Sequence, residues 1–300
     1  MKVALVSDYP LDEYLSYGFQ QNWSTPRGIY DSLINNTRTS EVKFYPFPFI
    51  NDLDNYPFRE ILKDIENKIF KPDIIFYMAC GPMNDSMFSK NFFPEPKLVV
   101  DLGDEPQTKG FNLQRAMNAD VVLTPDRECY NFYRSLGYNT IHTGQWADTN
   151  LYKPDENIKT IHGVVSSMKG DRGNIIPYLQ KKLGNNFLIE ADIEPEKNAL
   201  LYQLGKIVFQ KSRFNEVTRR IFEGMATKKL VITDKLPPQK RLDLFFKEDE
   251  EIVLYETKKE ALQKIKYYLR NEQEREEIAE NGYKKVIRHY SNENIINYLL

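Results

Sequence analysis

The distribution of apolar and polar residues along the chain predicts strands that alternate with helices. Short apolar runs rich in β-branched residues recur at 2–7, 74–77, 98–100, 207–209 and 230–233. Runs of this length are typical of strands buried on both faces. Segments with apolar residues at helical spacing separate them, at 58–70, 175–183, 218–227, 258–269 and 273–289. The pattern indicates α/β domains built on parallel sheets.

Residues 207–234 form the clearest unit of this kind. An apolar strand is followed by a polar loop, a short helix and a second apolar strand. Parallel strands joined in this way place the loop at the carboxyl edge of the sheet, where open α/β sheets bind ligands. We expect the free N–H groups at the start of the helix to attract anions, and Asn215 or Thr218 to cap it.

Two further loops carry candidate chemistry in the second half of the chain. A strand at 160–166 is followed by a turn with glycines and the basic residues Lys169 and Arg172, where the backbone can approach a ligand closely. The loop before helix 218–227 carries Lys211, which we interpret either as a phosphate contact or as surface charge. An acidic linker is predicted between strand 187–189 and the unit at 207–234.

Acidic residues follow the strand at 98–100 in the first half. Asp104 and Glu105 are candidates to deprotonate an acceptor hydroxyl or to stabilise positive charge, although a capping or turn-forming role fits them as well. His142 is a candidate for a cleft residue or a structural one. The three histidines are widely spaced and form no metal-ligand pattern, so no metal site is predicted.

Composition narrows the function classes. Three hundred residues suit two domains, and 41 basic against 43 acidic residues give no global field towards nucleic acid or membrane. Cys80 and Cys129 are too few for a disulfide framework, and both are expected to be reduced. No signal peptide is recognised, and no apolar run approaches the roughly 20 residues of a membrane span. A cytoplasmic protein is therefore expected.

The motif around Glu223 resembles a known signature. The run 220–223 (Arg-Ile-Phe-Glu), Met-Ala at 225–226 and a strand ending in Thr-Asp at 233–234 are similar to the donor site of group-one glycosyltransferases with the GT-B fold. Within that group, the pattern resembles the CgeB-like branch of spore-maturation-like proteins. Thr218, Gly224 and Lys228 stand where that branch usually has Asn, Ala and Gly.

This resemblance implies an architecture. We expect a GT-B-like α/β fold with two Rossmann-like domains whose parallel sheets face a central cleft. Residues 1–156 would form the acceptor-side domain, and 157–300 the donor-binding domain for a nucleotide sugar. The final stretch, 292–300, is expected to cross back to the first domain.

The resemblance also implies roles for single residues. Glu223 matches the ribose-binding acid of the family, with an ordinary solvated acid as the plainer alternative. In the larger family a second glutamate stands eight positions earlier, where this chain has Asn215 beside Glu216. The donor diphosphate of the family lies at the turn that here holds Lys169 and Arg172. The remaining donor-site candidates are Lys211, Thr218 and Arg220, the last of which also suits a bridge within its domain.

The predicted function is a glycosyltransferase that moves a hexosyl or pentosyl group from a nucleotide-diphosphate sugar, such as a UDP-sugar, to a hydroxyl acceptor. A retaining, metal-independent reaction is expected, with no cofactor beyond the donor substrate. One alternative is a viral-type transferase acting on hydroxylated pyrimidines in DNA, a nucleic-acid acceptor that the balanced charge does not indicate. Another is a non-catalytic nucleotide-sugar-binding protein.

Overall fold

The chain forms two compact units in the computed structural model, which describes residues 1–7, 25–47, 55–79, 85–103, 105–168, 172–191 and 193–300. The first unit contains the described residues up to Gly144 together with Ile295–Leu300, and the second contains Gln145–Asn294. The chain thus enters the second unit earlier than the predicted boundary between residues 156 and 157. Of the described helices, none is both long enough and apolar enough to cross a lipid bilayer.

The first unit is built on a six-stranded parallel sheet with the order β2-β1-β3-β4-β5-β6. Its strands are β1 (Lys2–Ser7), β2 (Glu41–Pro46), β3 (Ile74–Ala79), β4 (Lys97–Leu102), β5 (Val121–Thr124) and β6 (Thr140–His142). The connecting helices are α1 (Thr25–Ile34), α2 (Tyr56–Glu66), α3 (Lys109–Asn118) and α4 (Arg127–Ser135). Strands β1, β3 and β4 are almost wholly buried, which explains their uninterrupted apolar sequences.

The end of the chain also belongs to this first unit. Helix α10 (Asn292–Leu299) supplies its last residues, and Ile295, Ile296 and Leu299 are buried. The amide oxygen of Asn297 accepts a hydrogen bond from Arg38 at 2.7 Å, and the carbonyl oxygen of Leu299 accepts one from Lys97 at 3.1 Å. The last six residues are therefore part of the first unit's packing.

The second unit is built on a five-stranded parallel sheet with the order β11-β10-β9-β7-β8. Its strands are β7 (His162–Ser167), β8 (Phe187–Glu190), β9 (Gly205–Phe209), β10 (Leu230–Asp234) and β11 (Val253–Tyr255). Its helices are α5 (Ile175–Leu183), α6 (Pro195–Leu204), α7 (Arg219–Ala226), α8 (Lys258–Arg270) and α9 (Glu272–His289).

Successive side chains of these strands pack into two different cores. Val208 and Val231 belong to the cluster on one face of the sheet, which includes Phe222 of α7. Ile207 and Ile232 belong to the cluster on the other face. Because side chains alternate along a strand, helices on both faces turn a short apolar run into a fully buried strand.

The predicted acidic linker before residue 207 is wrong, because α6 occupies most of it. Pro195 lies in the first turn of this helix, where its missing N–H costs nothing, and Glu196 lies there too. Leu201 and Tyr202 are buried in the core, whereas Leu200 is 46% exposed. The helix has almost no one-sided apolar pattern, since buried Asn198 and Gln203 interrupt it, and periodicity alone therefore missed it.

Candidate active site

The carboxyl ends of β9 and β10 hold the loop predicted to face a ligand. Parallel pairing of the two strands aligns Phe209, the last residue of β9, with Ile232 of β10. The loop 210–218 and Asp234 therefore lie at the same edge of the sheet, and α7 begins directly after the loop. This is the edge at which parallel α/β sheets bind their ligands.

Asp234 holds the start of this loop. Its carboxylate accepts hydrogen bonds from the backbone N–H of Ser212 at 2.7 Å and from the Ser212 hydroxyl at 2.5 Å. It also accepts one from the ammonium group of Lys211 at 2.8 Å. Lys211, predicted to contact donor phosphates, thus has an internal carboxylate partner, and its charge is largely compensated within the protein.

Helix α7 begins without a side-chain cap. Thr218 occupies the N-cap position, but its hydroxyl accepts a hydrogen bond from the amide of Gln210 at 2.8 Å and does not bond the helix. Asn215 is exposed and has a φ of 56°, in the left-handed region. The expectation that either residue caps the helix by its side chain is therefore wrong. An anion can take the place of the missing cap at the first amides of a helix.

Glu223 lies on α7 and is only 7% exposed. No hydrogen bond from any described residue reaches its carboxylate. Burial raises the pKa of Glu223, while the positive charges of Arg219 and Arg220 act to lower it. A buried carboxylate without donors is costly unless a ligand or water supplies them. The plainer interpretation of Glu223 as a solvated surface acid is wrong.

Two buried tyrosines, Tyr152 and Tyr202, are near enough to Glu223 to feel its charge, which the sequence did not indicate. The Glu223 carboxylate contributes to raising the pKa of Tyr152 and of Tyr202, although burial is the larger cause for both. The two rings lie 6.0 Å apart, and the Tyr152 hydroxyl accepts a hydrogen bond from Asn198 at 2.9 Å. These residues come from distant segments of the chain, so no local motif predicts their association.

Arg172 provides a buried positive charge in the same unit. It is 8% exposed, and its Nε and Nη1 atoms have no hydrogen-bond partner within the described ranges. Burial lowers the pKa of this guanidinium, and the nearby charges of Arg220 and Arg213 lower it further. Arg220 itself forms no ion pair with any residue that the structure describes. The guanidinium groups of Arg172, Arg213 and Arg220 are therefore near enough to repel one another, and a multiply charged anion would relieve this repulsion.

Glu216 lies in the loop before α7 and bonds the backbone of that loop. The Glu216 carboxylate accepts hydrogen bonds from the backbone N–H groups of Arg213, at 3.2 Å, and Phe214. It thereby stabilises the turn that contains Asn215. Lys169, predicted as a phosphate contact, lies outside the described residues.

Glu105 of the first unit is enclosed by protein donors. The hydroxyls of Thr124 and Tyr133 donate to its carboxylate, the latter at 2.5 Å, and the amide of Asn112 donates at 3.3 Å. Burial raises its pKa to about 7, against the lowering effect of these hydrogen bonds. The side chain thereby connects β5, α3 and α4, and both of its carboxylate oxygens accept hydrogen bonds from the protein. Asp104, the neighbouring candidate base, lies outside the described residues.

His142 is the last residue of β6 and is half-buried. Burial and the charge of Arg127 lower its pKa to about 4, so the imidazole is neutral at pH 7. Its ring centroid lies 5.7 Å from that of Tyr130. Within the ranges that the structure describes, no group of three or more His, Cys, Asp or Glu side chains is placed to hold a metal ion.

The two parallel-sheet α/β units match solved structures with the GT-B fold, and the predicted fold class of two Rossmann-like domains is confirmed. Residues 156–300 match a family model described as glycosyl transferase-like, which covers nearly half of the chain. The second half therefore carries a glycosyltransferase sequence pattern, while membership of the CgeB-like branch stays a prediction. No match is found among curated proteins.

Solved structures of similar architecture extend over the whole chain. Sucrose-phosphate synthase from Thermosynechococcus elongatus has 11% identity and a TM-score of 0.65, covering 99% of this chain and 96% of that one. Anabaena Alr3699/HepE in complex with UDP and glucose has 13% identity and a TM-score of 0.66, covering 99% and 98%. The same protein in complex with UDP-glucose has 14% identity and a TM-score of 0.63, covering 100% and 98%. Identities this low establish the fold alone.

Proposed function

We propose that the protein is a glycosyltransferase that takes a sugar from a nucleotide-diphosphate donor and transfers it to a hydroxyl acceptor with retention and without a metal ion. One observation carries the proposal: the buried Glu223 carboxylate receives no hydrogen bond from the described residues. A carboxylate accepts up to four hydrogen bonds, and the vicinal hydroxyls of a ribose supply two donors in the required geometry. The predicted role of Glu223 as the ribose-binding acid rests on this chemistry.

Arg172 and Arg220 supply positive charge and N–H donors for the diphosphate leaving group. Breaking the bond between the anomeric carbon and the diphosphate leaves negative charge on the phosphate oxygens. Arg172 has unused Nε–H and Nη1–H donors, Arg220 adds a second guanidinium, and the uncapped start of α7 adds backbone amides. Such preorganised donors stabilise a developing anion in the way a metal ion otherwise does. This supports the metal-independent form of the reaction.

UDP is the first nucleotide to test, since the Anabaena protein of the same fold was solved with UDP and with UDP-glucose. A UDP-linked hexose is correspondingly the first donor to test. In the first unit, the Glu105 carboxylate holds Thr124, Tyr133 and Asn112 in place through hydrogen bonds, and we assign it this role in place of that of the base. Asp104 and the neutral imidazole of His142 remain the candidates for contact with the acceptor hydroxyl.

Calorimetric titration with UDP, GDP and dTDP tests the donor site. We expect binding of one of them to weaken by roughly ten- to hundredfold in Glu223→Gln, since a buried charged acceptor is replaced by a neutral one of the same shape. Arg172→Met is expected to weaken the binding of a nucleoside diphosphate far more than the binding of the corresponding nucleoside. Glu277→Gln and Arg288→Met are matched controls, because both residues lie on α9 and are exposed. Equal affinities in Glu223→Gln and wild type would contradict the assignment.

A donor-hydrolysis assay separates a catalyst from a binding protein. Release of free sugar from the donor that binds, slowed in parallel with binding in Glu223→Gln, is expected of a transferase. Tight nucleotide-sugar binding without any turnover, with or without hydroxyl acceptors, would instead identify a non-catalytic nucleotide-sugar-binding protein.

A further inference from the structure

A cavity of about 190 Å³ lies in the second unit at the edge of the sheet opposite loop 210–218. It is formed where β9 and β10 begin and where α9 passes them. Four cationic side chains line it, namely those of Lys206, Lys228, Lys229 and Arg275, against the two carboxylates of Glu272 and Glu276. One water molecule occupies about 30 Å³ in the liquid, so the cavity has room for a tetrahedral oxyanion.

The carboxylates near the cavity are engaged by cations other than Lys229. The Arg275 guanidinium lies 2.6 Å from Glu272 and 3.5 Å from Glu276. Lys228 forms an ion pair of 2.6 Å with Glu280, and Lys206 lies 3.8 Å from Glu272. The acidic residues on α9 therefore already have positively charged partners.

Lys229 is the cation left without a counter-charge. Its ammonium group donates to the hydroxyl of Thr160 at 3.2 Å, and no carboxylate of the described residues forms an ion pair with it. The side chain is partly buried, and burial together with the like charge of Arg275 lowers its pKa. An ammonium group has three N–H donors, so two are available for a ligand.

We propose that this cavity is a binding site for a phosphate-class oxyanion, which Lys229 contacts with its free N–H donors while the Thr160 hydroxyl orients the ammonium group. Lys206 and Arg275 also line the cavity, and their charges are partly offset by Glu272 and Glu276. Oxyanions of this class are held by charge-assisted hydrogen bonds from Lys and Arg. The anion is either free phosphate or the phosphoryl group of a small metabolite. The site is independent of the Arg172 cluster, which lies at the other edge of the same sheet.

The test is a titration of the full chain at constant ionic strength, with inorganic phosphate in one arm and glycerol 3-phosphate in the other, followed by calorimetry and by the thermal midpoint. Wild type, Lys229→Met, Lys229→Arg and Arg172→Met are compared, with the exposed Lys197→Met as the matched control. We expect Lys229→Met to weaken binding by roughly ten- to hundredfold. Lys229→Arg, which keeps the charge, is expected to retain binding within a few-fold, and Lys197→Met to match wild type.

Arg172→Met separates this proposal from the proposed function. Phosphate binding that survives in Arg172→Met and is lost in Lys229→Met supports the second site, whether or not the chain binds a nucleotide. Binding of inorganic phosphate alone would identify free phosphate as the ligand, and tighter binding of glycerol 3-phosphate would identify a phosphorylated metabolite. The absence of binding in both arms, or binding unchanged in Lys229→Met, would overturn the proposal.

Discussion

The amide of Gln210 donates a hydrogen bond of 2.8 Å to the hydroxyl of Thr218, and so withholds from α7 the side chain that stands at its N-cap position. Gln210 is itself 1% exposed and follows β9 directly, and its carbonyl oxygen accepts from Tyr255 at 3.1 Å. A buried contact between strand end and helix start therefore keeps the helix amides available. Helix α7 thereby lacks the stabilisation that a side-chain cap provides, and its first amides stay open to the anionic ligand that we propose.

We expect Gln210→Leu to weaken nucleoside diphosphate binding several-fold, because the released Thr218 hydroxyl can turn to the first amides of α7 and compete with the diphosphate. Calorimetry with the best-binding diphosphate measures the change. The double variant Gln210→Leu/Thr218→Val removes the competing hydroxyl and is expected to regain most of the lost affinity. If the double variant binds as weakly as Gln210→Leu, competition by Thr218 is not the cause.

The stability of the first unit should depend on pH through Glu105. Its pKa is about 7 in the folded protein against 4.5 in its ordinary state, so folding favours the protonated form. The contribution is fully present below about pH 4.5 and is lost as the pH rises to about 7, by roughly 3 kcal/mol at about 1.4 kcal/mol per pKa unit. Glu105→Gln stays neutral and lacks this dependence.

Urea denaturation of wild type and Glu105→Gln between pH 4.5 and 8 checks this expectation. The difference in free energy of unfolding between the two proteins is expected to move in favour of the variant as the pH rises, with most of the change between pH 5 and 7. A difference that stays constant over this interval would show that Glu105 is ionised in the folded protein throughout.

Gly282 lets α9 approach the backbone of Glu251 more closely than any residue with a side chain would allow. A Cβ atom at this position would lie 2.6 Å from the carbonyl oxygen of Glu251, a backbone atom that cannot rotate away. Gly282→Ala is therefore expected to lower the free energy of unfolding by about 1–3 kcal/mol. The matched control is Gly110→Ala in α3, where nothing lies within 4 Å and helix propensity favours alanine by up to about 1 kcal/mol. Urea denaturation of both variants decides it, and equal stability of Gly282→Ala and wild type would contradict the packing argument.

Local sequence predicted β1, β3, β4, β9 and β10, because strands buried on both faces consist almost entirely of apolar residues. Helix α5 was predicted with its observed ends, and α7 within one residue at each end. Helix α6 was missed because its buried positions include polar Asn198 and Gln203, which bond groups far away in the chain. Apolar periodicity carries no information on such contacts.

The candidate site divides in the same way. Glu223 and Arg172 could be found from local motif and charge, and both side chains are buried with unused hydrogen-bonding capacity. The ion pair of Lys211 with Asp234 could not be predicted from local sequence, because the two residues come together only through the pairing of β9 with β10. Lys228, which stands where the resembled branch has Gly, adopts a φ of 59° that explains the glycine preference at that place.

The placement of Ile295–Leu300 in the first unit has a consequence for biosynthesis. The ribosome makes the sheet of that unit early, yet Ile295–Leu300, which pack with it, are translated only after Gln145–Asn294. The apolar surface of the first unit that these residues cover therefore stays exposed while Gln145–Asn294 is translated. Co-translational folding of this chain therefore cannot finish in the order in which its residues are made.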